Sequence, residues 1–176
     1  MIFKNLKTYI NDTRGLATIE SAILLPMMFV LLLGLYDIGQ AIIINQKVTA
    51  ASHMAGDLIT RKVSVDASDI NDAWGASQLV IDPYDRNLLG IDIVGIRFDE
   101  DDDPDQVWRE TRQMDENPDL PSRADGLGVN GEGIVAVSAT YTYTPFFSGP
   151  LVGAIEMEET SFMRGRKNSL VRFEED

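Results

Sequence analysis

Glu20 stands inside a long apolar run, "RGLATIESAILLPMMFVLLLGLYDIG", from Arg14 to Gly39. A carboxylate there needs a reason, because an acidic side chain at mid-membrane costs about 3 kcal/mol on insertion scales. Gly15 precedes Glu20 by five positions. Chain cleavage after Gly15 would keep the apolar segment, expose a new α-amino group on Leu16 and make Glu20 the fifth residue of the shortened chain. Such an amine is mostly cationic at neutral pH, and positions i and i+4 face one another on a helix. Gly15, Leu16 and Glu20 are therefore candidates for processing followed by charge pairing. Two other readings compete. A plain single-span anchor accounts for the length and leaves Glu20 snorkelling to the interface. A secretory signal cut at "VTAA", Val48–Ala51, requires a core longer than the usual one and a passage through Asp37, Gln40 and Lys47.

Other residue clusters offer weaker chemistry. In "DEDDDPD", the alternating Asp101, Asp103 and Asp105 resemble calcium ligands in spacing. The loop lacks the central glycine and closing glutamate of an EF-hand, so a solvated acidic turn is the first expectation, with calcium as the alternative and otherwise no cofactor. "GLGVNG", Gly126–Gly131, fits a dinucleotide-binding string in the wrong context, since a polar loop precedes it and a strand follows. His53 is the single histidine and is read as a packing or surface residue. Trp74 and Trp108 are assigned to the core by default. Metal-binding HExxH, P-loop and G-x-S-x-G motifs are missing from the sequence, and an enzyme is not expected.

The elements that must hold these residues follow from composition and periodicity. The chain has 176 residues, no cysteine and a formal net charge of −13. Disulfides, cysteine-ligated zinc and thiol catalysis are excluded. Lys4, Lys7 and Arg14 precede the apolar run, whereas acidic residues dominate from Asp37 onward. That asymmetry keeps the N-terminus cytoplasmic and places the acidic remainder outside. It also sets nucleic-acid binding aside, because phosphates would be repelled.

From Leu16 the run is about 20 residues long, enough to cross a bilayer. The helix is expected to continue to about Thr60, since Ala41, Ile44, Val48, Ala51, Ala55 and Leu58 form one apolar stripe. The stripe suits packing on the protein's own sheet, on neighbouring helices in a filament, or both at different depths. Pro26 should kink or loosen the helix, and Gly34 and Gly39 weaken it or admit close helix neighbours. "VSVDASDINDAWGASQ" reads as a loop with a short helix. "IDIVGIRFD", Ile91–Asp99, reads as a strand with Val94, Ile96 and Phe98 on one face and a bulge at Gly95. "QVWRET", Gln106–Thr111, is its hairpin partner. A long polar loop follows, then the clearest strand, "IVAVSATYTYT", with Val135, Val137, Ala139, Tyr141 and Tyr143 on one face, ended by Pro145. A last strand spans Met157–Met163, and the tail "RFEED" is expected to fray.

One resemblance covers the apolar run. Type IV pilins and pseudopilins carry a short basic leader ending in glycine, then an apolar helix with glutamate at mature position five. Here "RG" is followed by "LATIE". "GLATIESAILLPMMFVLLLG" is similar to the TadE-like minor pseudopilins of tight-adherence (Tad/Flp) pilus systems. Ser21 stands where major Flp pilins commonly have tyrosine, which favours a minor subunit. The resemblance spans about residues 10–60 and returns faintly in "VSATYTYTPFF" and "RGRK".

The resemblance implies an α+β, pilin-like fold: a long N-terminal transmembrane helix followed by a small antiparallel β-sheet head. It divides the chain into a leader (1–15), a helix (16–60, with the span at about 16–38 and an amphipathic extension at about 39–60) and an acidic periplasmic head (61–176). It implies a minor pseudopilin that primes, caps or enters a Tad/Flp-type pilus supporting surface adherence. The implied partners are a prepilin peptidase, other pilin and pseudopilin subunits, an inner-membrane assembly platform and the lipid bilayer. The implied location is the bacterial inner membrane, single-pass, and the extracellular pilus after assembly. The alternative is a membrane-anchored extracytoplasmic binding domain, calcium-dependent or not, that never joins a filament.

Overall fold

The computed structural model describes residues 14–168 and 170–174, with side chains from Thr18 onward. Most of the expected leader, residues 1–13, lies outside the described residues. The protein is α+β: a long N-terminal helix, α1 (Arg14–Thr60), followed by a small antiparallel sheet.

Helix α1 has 47 residues and is helical on both sides of Pro26. At 1.5 Å per residue it is about 70 Å long. Its two halves differ in environment. Ile19, Ile23, Leu24, Leu25, Met27 to Leu32 and Leu35 are exposed around the helix. From Asp37 onward one stripe is buried: Ile44, Val48, Ala51, Ala55 and Ile59. This is the expected stripe, except that Ala41 and Leu58 pack only at its edge and Ile59 is its last fully covered apolar residue. Gly34 and Gly39 face open space within the chain.

After α1 come a short strand β1 (Ser64–Val65) and a second helix, α2 (Ala67–Ile81). The sequence predicts only a short helix here; the observed one has 15 residues. Asp66 starts it. Its carboxylate accepts the N–H of Asp69 at 2.9 Å, and the Asp69 carboxylate accepts the N–H of Asp66 at 3.4 Å, a reciprocal cap for the free first-turn amides. At the other end the Lys47 ammonium donates to the carbonyls of Val80 (2.9 Å) and Asp82 (2.6 Å), where the helix dipole favours a cation. The buried stripe is Ile70, Ala73, Ser77 and Ile81. Two of those four are small, and the Ser77 hydroxyl donates to the Ala51 carbonyl of α1 at 3.0 Å. Ile70 and Ile81 are fully buried at the two ends of the stripe, and the residues between them are small, so hydrophobic periodicity is faint.

The main sheet comprises β2 (Leu89–Phe98), β3 (Pro104–Arg112), β4 (Gly133–Tyr143) and β5 (Ile155–Arg164) in the order β3-β2-β4-β5, all antiparallel. The expected bulge is present, but its extra residue is on β3: Gly95 faces Trp108 and Ile96 faces Gln106. Gly95 has a different task. A Cβ there would lie 2.1 Å from the Trp108 indole nitrogen, so glycine makes room for the indole.

Both sheet faces are covered. Ile91, Ile93, Val135, Val137, Ala139 and Tyr141 pack under α1 and α2. Val94, Ile96, Phe98, Ile134 and Ala136 lie on the opposite face with Leu120 and Ala124. These last two belong to the long polar loop, which therefore closes a second core. Gly128 of the same loop lies against Phe98, where a Cβ would come within 2.2 Å of the ring.

An ion pair locks that loop down. Asp92 is fully buried on β2. Its carboxylate accepts from Arg109 Nε at 2.9 Å and also from Arg109 Nη2, while the Asn117 N–H donates to it at 2.9 Å. Arg109 Nη2 donates in turn to the Asn117 carbonyl at 2.7 Å. The Asp92 carboxylate raises Arg109 above its ordinary value, because a hydrogen-bonded anion favours the charged guanidinium.

The tail differs from its expected fraying. Strand β6 (Arg172–Phe173) pairs in parallel with β1, and the Glu174 N–H donates to the Val65 carbonyl at 2.9 Å. The buried Trp108 indole N–H donates to the Val171 carbonyl at 2.7 Å, and the Arg166 N–H donates to the Thr60 carbonyl ending α1, at 2.9 Å. Val171, just before "RFEED", and Phe173 within it make a Val-x-Phe apolar pair that joins the core.

Candidate functional site

Gly15, Leu16 and Glu20 all lie on the first turns of α1. The side chain of Leu16 lies outside the described residues. Four positions separate Leu16 from Glu20, about 6 Å of helical rise. Glu20 is exposed, as are Ser21 and Ala22 beside it. Its carboxylate therefore projects from a helix surface that the other described residues do not cover.

The outer end of the exposed segment is sharply marked. Tyr36 stacks edge-on against Phe147, with ring centroids 5.7 Å apart. The next residue, Asp37, is only 3% exposed. Its carboxylate accepts three consecutive backbone N–H groups from the loop between β4 and β5: Phe146 at 3.2 Å, Phe147 at 3.0 Å and Ser148 at 2.6 Å. The Tyr143 hydroxyl donates to the Asp37 carbonyl at 3.4 Å. One acidic side chain at the end of the apolar run thus ties the helix to the head. In the sequence Asp37 looks only like the charge that ends the span. Its partners are backbone amides more than a hundred residues away, and amides carry no residue-type signal.

This tether predicts a result. Asp37→Ala leaves three amides without their acceptor, so the loop should open. Chymotrypsin cutting after Phe146 and Phe147 should become faster in the full chain in detergent, while Asp37→Asn, which retains an accepting oxygen, should lie between. Identical cleavage of all three proteins would show that the tether does not hold the loop.

The remaining candidates are placed elsewhere. Asp101 and Asp103 sit on an exposed turn, and Asp105 is already in β3. The turn is organised by Asp99, whose carboxylate accepts the N–H groups of Asp101 (2.9 Å) and Asp103 (3.0 Å). Among the described residues no three acidic or histidine side chains gather in a form that could hold a metal ion. The structure does not bring Asp101, Asp103 and Asp105 together as a ligand set. "GLGVNG" lies between a 3₁₀ turn and β4, the reverse of the strand-then-helix context that phosphate binding requires. His53 is exposed on α1. Trp108 is core, and Trp74 packs at the core's edge.

Residues 15–57 match the model of the TadE-like protein family. The match covers 43 of the chain's 176 residues. The match begins at Gly15, runs through Glu20 and Asp37 and ends three residues before α1 does. The TadE-like segment therefore holds both the exposed apolar half of the helix and most of the half that packs under the head. The sheet and α2 lie beyond it. No curated protein and no solved structure matches the chain. The matched helix is also long and apolar enough to cross a membrane, and none of its most apolar window is buried among the described residues.

Proposed function

We propose that the protein is a minor pseudopilin that takes part in assembling a Tad/Flp-type pilus, as a subunit that primes, caps or enters the filament. The observation that carries this reading is the divided TadE-like helix. One stripe of its outer half packs into the protein's own core, while its inner half, with Glu20, has no cover among the described residues. A soluble protein does not leave so many contiguous apolar residues exposed; such a surface belongs to a membrane or to another protein. In this reading it meets lipid before assembly and neighbouring helices after it. The head's sheet lies on the outer side of the membrane and no catalytic group is required.

A prepilin peptidase then acts after Gly15, with the assembly platform and other pilin subunits as later partners. A small residue at the cut lets the enzyme reach the peptide bond where the chain enters the bilayer. Mass spectrometry of the membrane fraction should find a chain starting at Leu16, and the same chain should appear in sheared pili or at their base. A membrane chain that retains residues 1–15 in cells with an active peptidase would overturn the pseudopilin reading and leave an anchored binding domain. A chain starting near Ala51 would instead indicate a secretory signal.

A further inference from the structure

The β4–β5 loop, "TPFFSGPLVGA" from Thr144 to Ala154, is unlike the rest of the head. Phe146 is 79% exposed, Leu151 88% and Val152 63%, and Phe147 is partly exposed beside them. No charged residue occurs from Gly133 to Ile155, in a chain whose formal net charge is −13. The loop carries its own short helix, α3 (Gly149–Val152), which turns Leu151 and Val152 outward. Its position is fixed by the Asp37 tether and by the Tyr36–Phe147 ring contact.

That position has a depth. From Leu16 to Tyr36 the helix rises about 30 Å, the thickness of a bilayer's hydrocarbon core. With Leu16 at one boundary, Tyr36 and Phe147 reach the other, where aromatic side chains concentrate. We propose that the Phe146–Val152 loop is a second membrane contact, resting in the outer lipid interface beside the helix and fixing the tilt of the head on the membrane. The inference rests on reading the TadE-like helix as a membrane span. It explains two features together. The loop is apolar and uncharged where an acidic head would otherwise meet anionic lipid. Asp37, at the edge of hydrocarbon, is enclosed by backbone amides of the same loop, so its charge is satisfied without water.

The full chain has no native cysteine, so single labels can be placed by Phe146→Cys, Leu151→Cys, Met28→Cys and Asp101→Cys. Each protein is reconstituted in vesicles of phosphatidylethanolamine and phosphatidylglycerol and labelled with a small fluorophore. Quenching by bromine-bearing acyl chains is then compared with quenching by aqueous iodide. Labels at 146 and 151 should be quenched by lipid several-fold more than the label at 101, and Met28 should be the most strongly lipid-quenched of all. Lipid-quenched Met28 with iodide-quenched 146 and 151 would overturn the loop contact alone. A Met28 label outside lipid would overturn the span and the loop contact with it. Protection of 146 and 151 from both quenchers, appearing only as protein density in the vesicles rises, would assign the patch to another subunit and overturn the lipid assignment.

Discussion

Asp92→Ala should destabilise the head by about 3–5 kcal/mol, the range for removing one partner of a buried ion pair. The largest part of that loss comes from what remains. Arg109 is itself nearly buried, with a side chain 8% exposed, and without Asp92 its guanidinium keeps only the Asn117 carbonyl and weaker contacts at the rim. The Asn117 N–H also loses its acceptor, so the loop that brings Leu120 and Ala124 onto the sheet is released. Against a typical total of about 5–15 kcal/mol, such a loss removes much of the fold's margin. Trp74 and Trp108 both report on the core, so urea unfolding of the full chain in detergent can be followed by fluorescence. A paired substitution decides the cause. Asp92→Leu with Arg109→Met removes both charges and should recover most of the loss, since apolar replacement of a buried pair is often neutral. A paired variant as unstable as Asp92→Ala would mean that the network itself, and not the stranded charge, supplies the stability.

The parts of the fold that could be read in advance are those in which one residue type repeats at one period. The stripe from Ile44 to Ala55 repeats at three and four, which marks one apolar face; that this face packs into the protein's own core comes from the structure. The alternation of Val135, Val137, Ala139 and Tyr141 places them on the helix-covered face of β4, and the same logic puts Val94, Ile96 and Phe98 on the other face of β2. The hidden parts share a different physics. Helix α2 buries only Ile70 and Ile81 as large apolar residues, with a carboxylate cap and the small Ala73 and Ser77 completing its packing, so much of its evidence in sequence is small residues and aspartates, which also spell a loop. The second core depends on Leu120 and Ala124, two apolar residues in a run dominated by Pro, Gly and Asp. The tail is held mainly by backbone hydrogen bonds to β1 and by the Trp108 indole. Within the candidate site, Gly15, Leu16 and Glu20 stand out because a carboxylate among apolar residues is conspicuous. Asp37 does not, because an acid at the end of an apolar run is ordinary until its three amide partners are seen.

Glu20→Gln should leave membrane insertion and cleavage after Gly15 largely intact and abolish incorporation into the pilus. Glutamine matches glutamate in size and closely in helix propensity, so α1 should form as before. What changes is charge. After cleavage the Leu16 amine is cationic at neutral pH, and Glu20 is the acidic residue one turn along the helix. In a lone subunit near the membrane surface, water and lipid headgroups screen both groups. In a filament, packing removes water, and each amine then requires a carboxylate from its own chain or from the next one. A buried charge left without its partner costs about 3–5 kcal/mol, which is roughly two to four orders of magnitude in a docking constant. That is enough to separate a subunit docking in register from one docking out of register. Snorkelling predicts the opposite pattern, because a neutral side chain at this depth should insert at least as well as a charged one and lose nothing afterwards. Processing, insertion and piliation must therefore be followed separately, by the mass of the mature chain, by alkaline extraction of membranes and by immunogold labelling of sheared pili. Normal piliation with the variant subunit incorporated would leave Glu20 as a tolerated interfacial charge. Failed piliation with normal insertion and cleavage would place its role at the contact between subunits, on the half of α1 that the protein's own head leaves uncovered.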